Sequence, residues 1–176
     1  PDAPVGAQFS YSNEGVQLLS PILDAAAGEP IQDYAARRLF APLGMRDTRL
    51  LLDAAGHART YADMITTPRD MARIGLLMLR GGSWDPGNGA EPIRIVSEQW
   101  VKQSSSPAQQ FTQECGLLWW IFDGGFAAQG YLGTDIHIFP EAGVIAVRTQ
   151  ARTAPGADTG GAYRRQAIPL LRRLGG

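Results

Sequence analysis

Apolar residues recur at helical spacing through the first part of the chain and begin to alternate after Pro107. The first helix is predicted over Glu14–Ala27, with Val16, Leu19, Ile22, Leu23 and Ala26 on one stripe and Gly28 ending it. Pro21 falls inside this stretch, where it should kink or shift the helix. A second helix should begin with Pro30 in its first position and bury Ile31, Tyr34, Ala35 and Leu39. Asp33 near its start and Arg37-Arg38 near its end suit the macrodipole, and Pro42 stops it. Gly44 to Thr60 reads as a loop. The third helix has the clearest start: Thr67 as cap, Pro68 as first helical residue and Asp70 where a capping-box acid stands. Met71, Ile74, Leu77 and Met78 line its inner face, and Gly81-Gly82 terminate it. A turn-rich stretch follows over 83–89, and Ser97 caps a shorter helix running to about Gln103.

Beyond this the pattern is that of strands. Gly116–Phe122 is predicted as one strand, with Trp119 and Trp120 on opposite faces. Asp123-Gly124-Gly125 turns, and Phe126–Gln129 returns. Thr134–Phe139 alternates, with Ile136 and Ile138 on one side; Pro140–Gly143 turns and Val144–Thr149 comes back. Thr153–Gly161 is a polar loop. Arg164–Leu174 is a last helix on the sheet, its arginines facing water. Helices first and strands last predict an α+β fold, with helices packed on an antiparallel sheet.

Composition narrows the function. The 176 residues are enough for one domain, and a hydrophobic share of 44% is enough for a core. Sixteen basic and seventeen acidic residues leave a net charge of −1, which gives no electrostatic case for nucleic acid or an anionic membrane. No apolar run is long enough for a membrane span. Cys115 is alone, so no disulfide framework or thiolate metal site is expected, and it reads as a buried, inert thiol. The two histidines, His57 and His137, have no partner at ligand spacing, and there is no Gly-rich phosphate loop. No metal and no cofactor are expected.

The stretch with chemistry is Phe9-Ser10-Tyr11-Ser12-Asn13-Glu14-Gly15-Val16. Ser12 or Asn13 can cap the helix that follows, because either side chain can accept from its orphan N–H groups. Tyr11 is then the last extended residue before the helix. A phenol held there can serve as a general acid or base. The alternative is an ordinary core tyrosine.

Tyr11-Ser12-Asn13 with Gly15 and Leu18-Leu19, followed by Leu39–Thr48, resembles the serine β-lactamase-like hydrolases. That superfamily includes class C β-lactamases, DD-peptidases, related esterases and 6-aminohexanoate-dimer hydrolases. Thr66–Arg73, Gly116–Trp120, and Ala128–Gly133 with Pro140-Glu141 fit the same pattern in the same order, from about Phe9 to about Gln150. The resemblance implies that residues 1–176 are the C-terminal part of a β-lactamase/transpeptidase-like domain. About 9–110 would be mainly helical, 116–150 antiparallel strands and 162–174 the last helix.

The family's nucleophile is a serine in Ser-x-x-Lys, where the lysine amine takes the serine's proton. The only lysine here is Lys102, and Gln99 stands three residues before it. The sequence also opens at Pro1 rather than at a methionine. The expectation is therefore that an upstream segment, on the same chain or a partner chain, supplies the nucleophile. By resemblance, Tyr11 relays a proton between that serine and the leaving group. Asn13 binds the lysine or substrate, unless it is only a cap. Ala128-Gln129-Gly130 occupies the place of the sheet-edge Lys-Thr-Gly or His-Thr-Gly motif. Gly130 lets substrate approach the backbone, or else marks a bulge or bend, and the Tyr131 N–H is one oxyanion-hole donor. Ala128 departs from the family, since alanine cannot bind a substrate carboxylate. This points away from β-lactams and peptidoglycan stems and toward small ester or linear amide substrates. Arg148 is a weaker candidate for a replacement cation. The rival expectation is a non-catalytic ligand- or protein-binding module on the same fold. Either way Tyr11 and the Ala128–Tyr131 stretch should share one cleft, with exposed apolar surface beside Tyr11.

Overall fold

In the computed structural model, residues 3–4, 6–87, 89–108, 112–150 and 160–174 are described. Most of the polar loop expected over 153–161 lies outside them, as do parts of the Pro1–Ala7 start. The first apolar stripe forms two helices, α1 (Asn13–Gln17) and α2 (Leu19–Ala27), meeting at Leu18. Pro21 explains the position of the break. Its nitrogen cannot donate to the Gln17 carbonyl, and its ring crowds that same group. The expected buried stripe is corrected: Ile22, Leu23 and Ala26 on it are exposed. Gly28 ends α2 in the left-handed conformation.

Pro30 is the N-cap of α3 (Ile31–Ala35), so the helix begins one residue later than expected, and Asp24 Oδ1 accepts from the Ile31 N–H. The chain then widens into a π-helical segment, Ala36–Phe40, with Ala41 N–H donating to Ala36 O and Met45 N–H to Phe40 O. The loop after it is not structureless. It carries strand β1 (Arg49–Leu50), which pairs antiparallel with β2 (Met64–Ile65).

Helix α4 (Pro68–Leu79) starts as the sequence predicts, with Thr67 Oγ1 accepting from Asp70 N–H. The Asp70 carboxylate, however, does not close a capping box. It is buried, accepts from Thr48 Oγ1 at 2.8 Å and pairs with Arg73. Thr48 in turn bonds Thr66. This node ties the loop before β1 to the start of α4. Past it come a small hairpin, β3 (Ser83–Trp84) with β4 (Ile93–Arg94), and the Ser97-capped helix α5 (Glu98–Ser104).

Among the described residues the main sheet has four antiparallel strands in sequence order: β5 (Trp120–Phe122), β6 (Gly125–Gln129), β7 (Asp135–Phe139) and β8 (Val144–Arg148). The predicted strand 116–122 is shortened to β5, because Leu118 adopts a left-handed φ of 66° and turns the chain. One face of the sheet packs on α4. Phe126, Ile136 and Ile138 meet Met71 and Met78 there, with Trp119, Ala128, Ile145 and Val147 around them. Gly75 lets α4 come close: a Cβ there would lie 3.1 Å from Ile136. A second cluster, Phe40, Leu43, Met45, Leu77 and Trp84, fills the other side of α4. Each such buried side chain contributes about 1.5–3 kcal/mol of transfer free energy.

The opposite sheet face is covered by α6 (Gly161–Leu171), three residues ahead of its predicted start. Its arginines do not merely face water: Arg164 grips Asp135 with two hydrogen bonds, and Arg172 reaches Asp123. His137 lies fully buried between the layers, with rings of Phe122, Phe139 and Tyr163 about it. Neither ring nitrogen has a hydrogen-bond partner among the described residues. Burial pushes His137 below the ordinary histidine value; Asp135 opposes this and Arg164 adds to it. The folded protein thus holds His137 neutral, while the unfolded chain protonates it at about 6.5. Stability should be complete above that pH and fall as the pH drops below it, because the unfolded state then binds a proton that the native state refuses. Urea midpoints at pH 7.5 and 5.5 check this. His137→Phe should reduce the difference between them, and an unchanged difference would show that His137 titrates freely in the fold.

Candidate active site

The sheet face that carries Trp120 organises the site. Ser12 is the cap of α1, its Oγ accepting from Gly15 N–H at 3.0 Å, which leaves Asn13 free of that duty. Asn13 Oδ1 instead accepts from the Tyr11 hydroxyl at 2.9 Å. Tyr11 is no core residue: it is 62% exposed. Its ring stacks on Trp120 at 6.0 Å between centroids and 25° between planes, and Phe9 meets the same indole edge-on at 6.4 Å. Residues two apart in an extended segment point the same way, so Phe9 and Tyr11 reach one partner.

Trp120 pairs with Ala127 across β5 and β6. Gln129, two residues further on, lies on the same face and about 6.6 Å along the strand. An open depression of about 720 Å³ is lined by both Trp120 and Gln129, together with Glu114 and Asp123. Ala128 points the other way. Its methyl packs with the cluster under α4, so the alanine in the motif is part of the core between sheet and helix.

β6 ends at Gln129, and Gly130–Gly133 forms the hairpin turn to β7. Gly133 N–H donates to Gly130 O at 3.0 Å, and Gly130 N–H to Thr134 O at 2.9 Å. Gly130 is therefore a turn residue rather than part of a strand, and a Cβ there would sit 2.9 Å from Thr134 O. Gly133 has φ +69°, and a Cβ on it would collide with Arg148 and Gly160. Tyr131 stands at the tip, 87% exposed, and its N–H takes no hydrogen-bond partner among the described residues. Arg148 is engaged in the turn and stacked over the Tyr163 ring at 5.4 Å, so it is not offered to the depression as a spare cation. Cys115 is half-buried rather than buried; burial raises its thiol above the ordinary value.

The sequence reading missed Trp120 as the partner of Tyr11. The signal was present: adjacent tryptophans face opposite sides, and Phe9-x-Tyr11 sets two rings on one side of an extended segment.

Helices packed on an antiparallel sheet define an α+β fold. Residues 1–169 match the Beta-lactamase family, and the chain belongs to it. Over 168 residues it is 24% identical to the 6-aminohexanoate-dimer hydrolase of Paenarthrobacter ureafaciens, a match that takes in 84% of this chain and 40% of that protein. A stretch of 50 residues, 28% of this chain and 10% of the relative, is 38% identical to a D-aminopeptidase of Cereibacter sphaeroides. The fold superposes on a protein from Bacillus anthracis assigned as a 6-aminohexanoate-dimer hydrolase with a TM-score of 0.79 at 23% identity, covering 98% of this chain and 46% of that one.

Proposed function

We propose that this chain is the C-terminal part of a serine hydrolase domain that cleaves small ester or amide substrates by acyl transfer. The nucleophile comes from a Ser-x-x-Lys segment outside these 176 residues. The observation that carries this reading is Tyr11, an exposed phenol bonded to Asn13 and stacked on Trp120, which lies opposite Ala127 of β6. Further support comes from the absence of Ser-x-x-Lys in a family member that spans two-fifths of its curated relative. The exposed apolar residues of α2 and the outer edge of β8, unpaired among the described residues, offer a helix face and a strand edge to such a segment.

In this mechanism the serine oxygen bonds to the substrate carbonyl carbon while the lysine–Tyr11 pair takes its proton. The carbonyl electron pair moves onto oxygen, where the Tyr131 N–H stabilises it. Collapse breaks the bond to the leaving group, which receives the proton through Tyr11. Water then repeats the sequence and frees the acid. Asn13 holds the phenol in line, and Gln129 and Gly130 border the substrate. With an alanine at 128 turned into the core, that position gives a substrate carboxylate no anchor. The names of the relatives, a dimer hydrolase and an aminopeptidase, favour amide-type substrates.

A fluorophosphonate probe tests the reading. It should label a serine in the complete protein and leave the 176 residues alone unlabelled. Stoichiometric labelling of a serine within them, or no labelling of the complete protein, would overturn it; the second result would favour a binding module.

A further inference from the structure

The 130–133 turn is held from behind by a side chain that has no part in the mechanism above. Arg148, the last residue of β8, donates from one guanidinium nitrogen to Gly133 O at 2.7 Å and to Leu132 O at 3.2 Å. Its other nitrogen bonds Gln150, and its plane lies over Tyr163 of α6. Arg164, fixed by Asp135, makes a longer contact of 3.5 Å with Gly130 O. Gly133 and Gly160 meet without side chains, so the turn is seated against Arg148 with no room for a Cβ.

This arrangement decides where the Tyr131 N–H points. Gly130 O and Tyr131 N–H belong to one planar trans peptide, so fixing the oxygen fixes the hydrogen in the opposite direction. The oxygen accepts from Gly133 N–H and faces the Arg164 guanidinium. Arg148 fixes the next two carbonyls of the same turn. The three carbonyls of the turn are thus held in place, and the direction of the Tyr131 N–H is fixed with them. Hydrogen bonds to a peptide oxygen also strengthen donation from the same peptide's N–H.

We propose that Arg148 is a positioning residue for the reaction: it holds the 130–133 turn so that the Tyr131 N–H is aimed at the developing oxyanion. The inference rests on the function proposed above, and it assigns Arg148 a role in turnover rather than in substrate binding. A turn free to rock would still admit substrate. It would lose the transition-state hydrogen bond, which is sensitive to sub-ångström placement.

The experiment uses the complete protein and Arg148→Met, which keeps an apolar stem over Tyr163 and removes the donors. Its kcat should fall on the order of tenfold with KM held within about twofold, as expected when a donor is misplaced rather than removed. Affinity for phenylboronic acid, whose serine adduct mimics the oxyanion, should weaken in step with kcat/KM. Arg148→Lys, which returns one donor and the charge, should recover part of both. Should Arg148→Met fail to fold, Arg148→Lys is read alone, and parent values of kcat and boronate affinity in it would overturn the proposal. So would parent values in a folded Arg148→Met, or a rise in KM with kcat unchanged. A parent protein that neither turns over nor takes the fluorophosphonate would overturn the hydrolase reading itself, and the role of Arg148 with it. A labelled, active parent beside an unaffected variant overturns only the role of Arg148.

Discussion

Tyr11→Phe is expected to lower kcat of the complete protein by about a hundredfold or more, as loss of a positioned acid/base does. Only the hydroxyl is removed. The ring keeps its stack on Trp120, the Ser12 cap stays in place, and α1 begins where it did. The hydrogen bond lost is the one to Asn13 on an exposed surface, which contributes little to folding. The thermal midpoint should therefore hardly move. Asn13 would be left with its amide free to turn, so the variant reports the phenol itself and not a collapse of its surroundings. A variant that turned over at the parent rate with its structure intact would make Tyr11 a structural residue and remove the centre of the proposed mechanism.

Arg164→Leu is expected to cost about 3 kcal/mol of stability, the lower end for a broken buried pair. Asp135 has no exposed surface, and the arginine supplies two hydrogen bonds, at 2.7 and 2.8 Å, to its two oxygens. Without them a carboxylate is left in the layer between sheet and α6. The guanidinium is about a quarter exposed, which is why the lower end is chosen. Urea unfolding measures the change. The double replacement Asp135→Asn with Arg164→Leu should recover part of it, since no charge then remains buried. A loss below about 1 kcal/mol in the single variant would mean that water reaches Asp135.

What could be read in the sequence was whatever depends on near neighbours. The start and end of α4 follow from Thr67-Pro68 and Gly81-Gly82, and the β6–β7–β8 meander from alternation and glycine turns. Where the reading failed, a distant partner decided. Asp70 has the right spacing for a capping box, but Thr48, far back in the chain, claims its carboxylate. Arg164 and Arg172 look like a solvated face until Asp135 and Asp123 are brought beneath them. The strand through Gly116–Phe122 was overextended because an apolar run gives no warning of a left-handed Leu118. The stripe on α2 identified positions suited to burial, and periodicity cannot name what would cover them. The surroundings of the candidate site were legible in part: Ser12 as the cap of α1 followed from local pattern, whereas Gly130 lies in a turn and not on the strand expected for it. Trp120 as the partner of Tyr11, and Arg148 as a tie to the turn instead of a spare cation, emerge only when β5 and β8 are laid beside their neighbours.

One feature of the core bears on how the site works. Ile74 and Val96 pack against both apolar clusters, so the helical layer and the sheet have a common wall in α4 instead of a seam. Such a wall cannot slide on one side without disturbing the other, because packed interiors resist small displacements. A hinge between helices and sheet is thereby closed off, and adjustment is left to the margins, at the ends of elements. The seat of the sheet on α4 is then fixed as the protein folds. Under the function proposed above, selectivity would come from which molecules fit a surface already set by that packing, with little energy spent on closing around them.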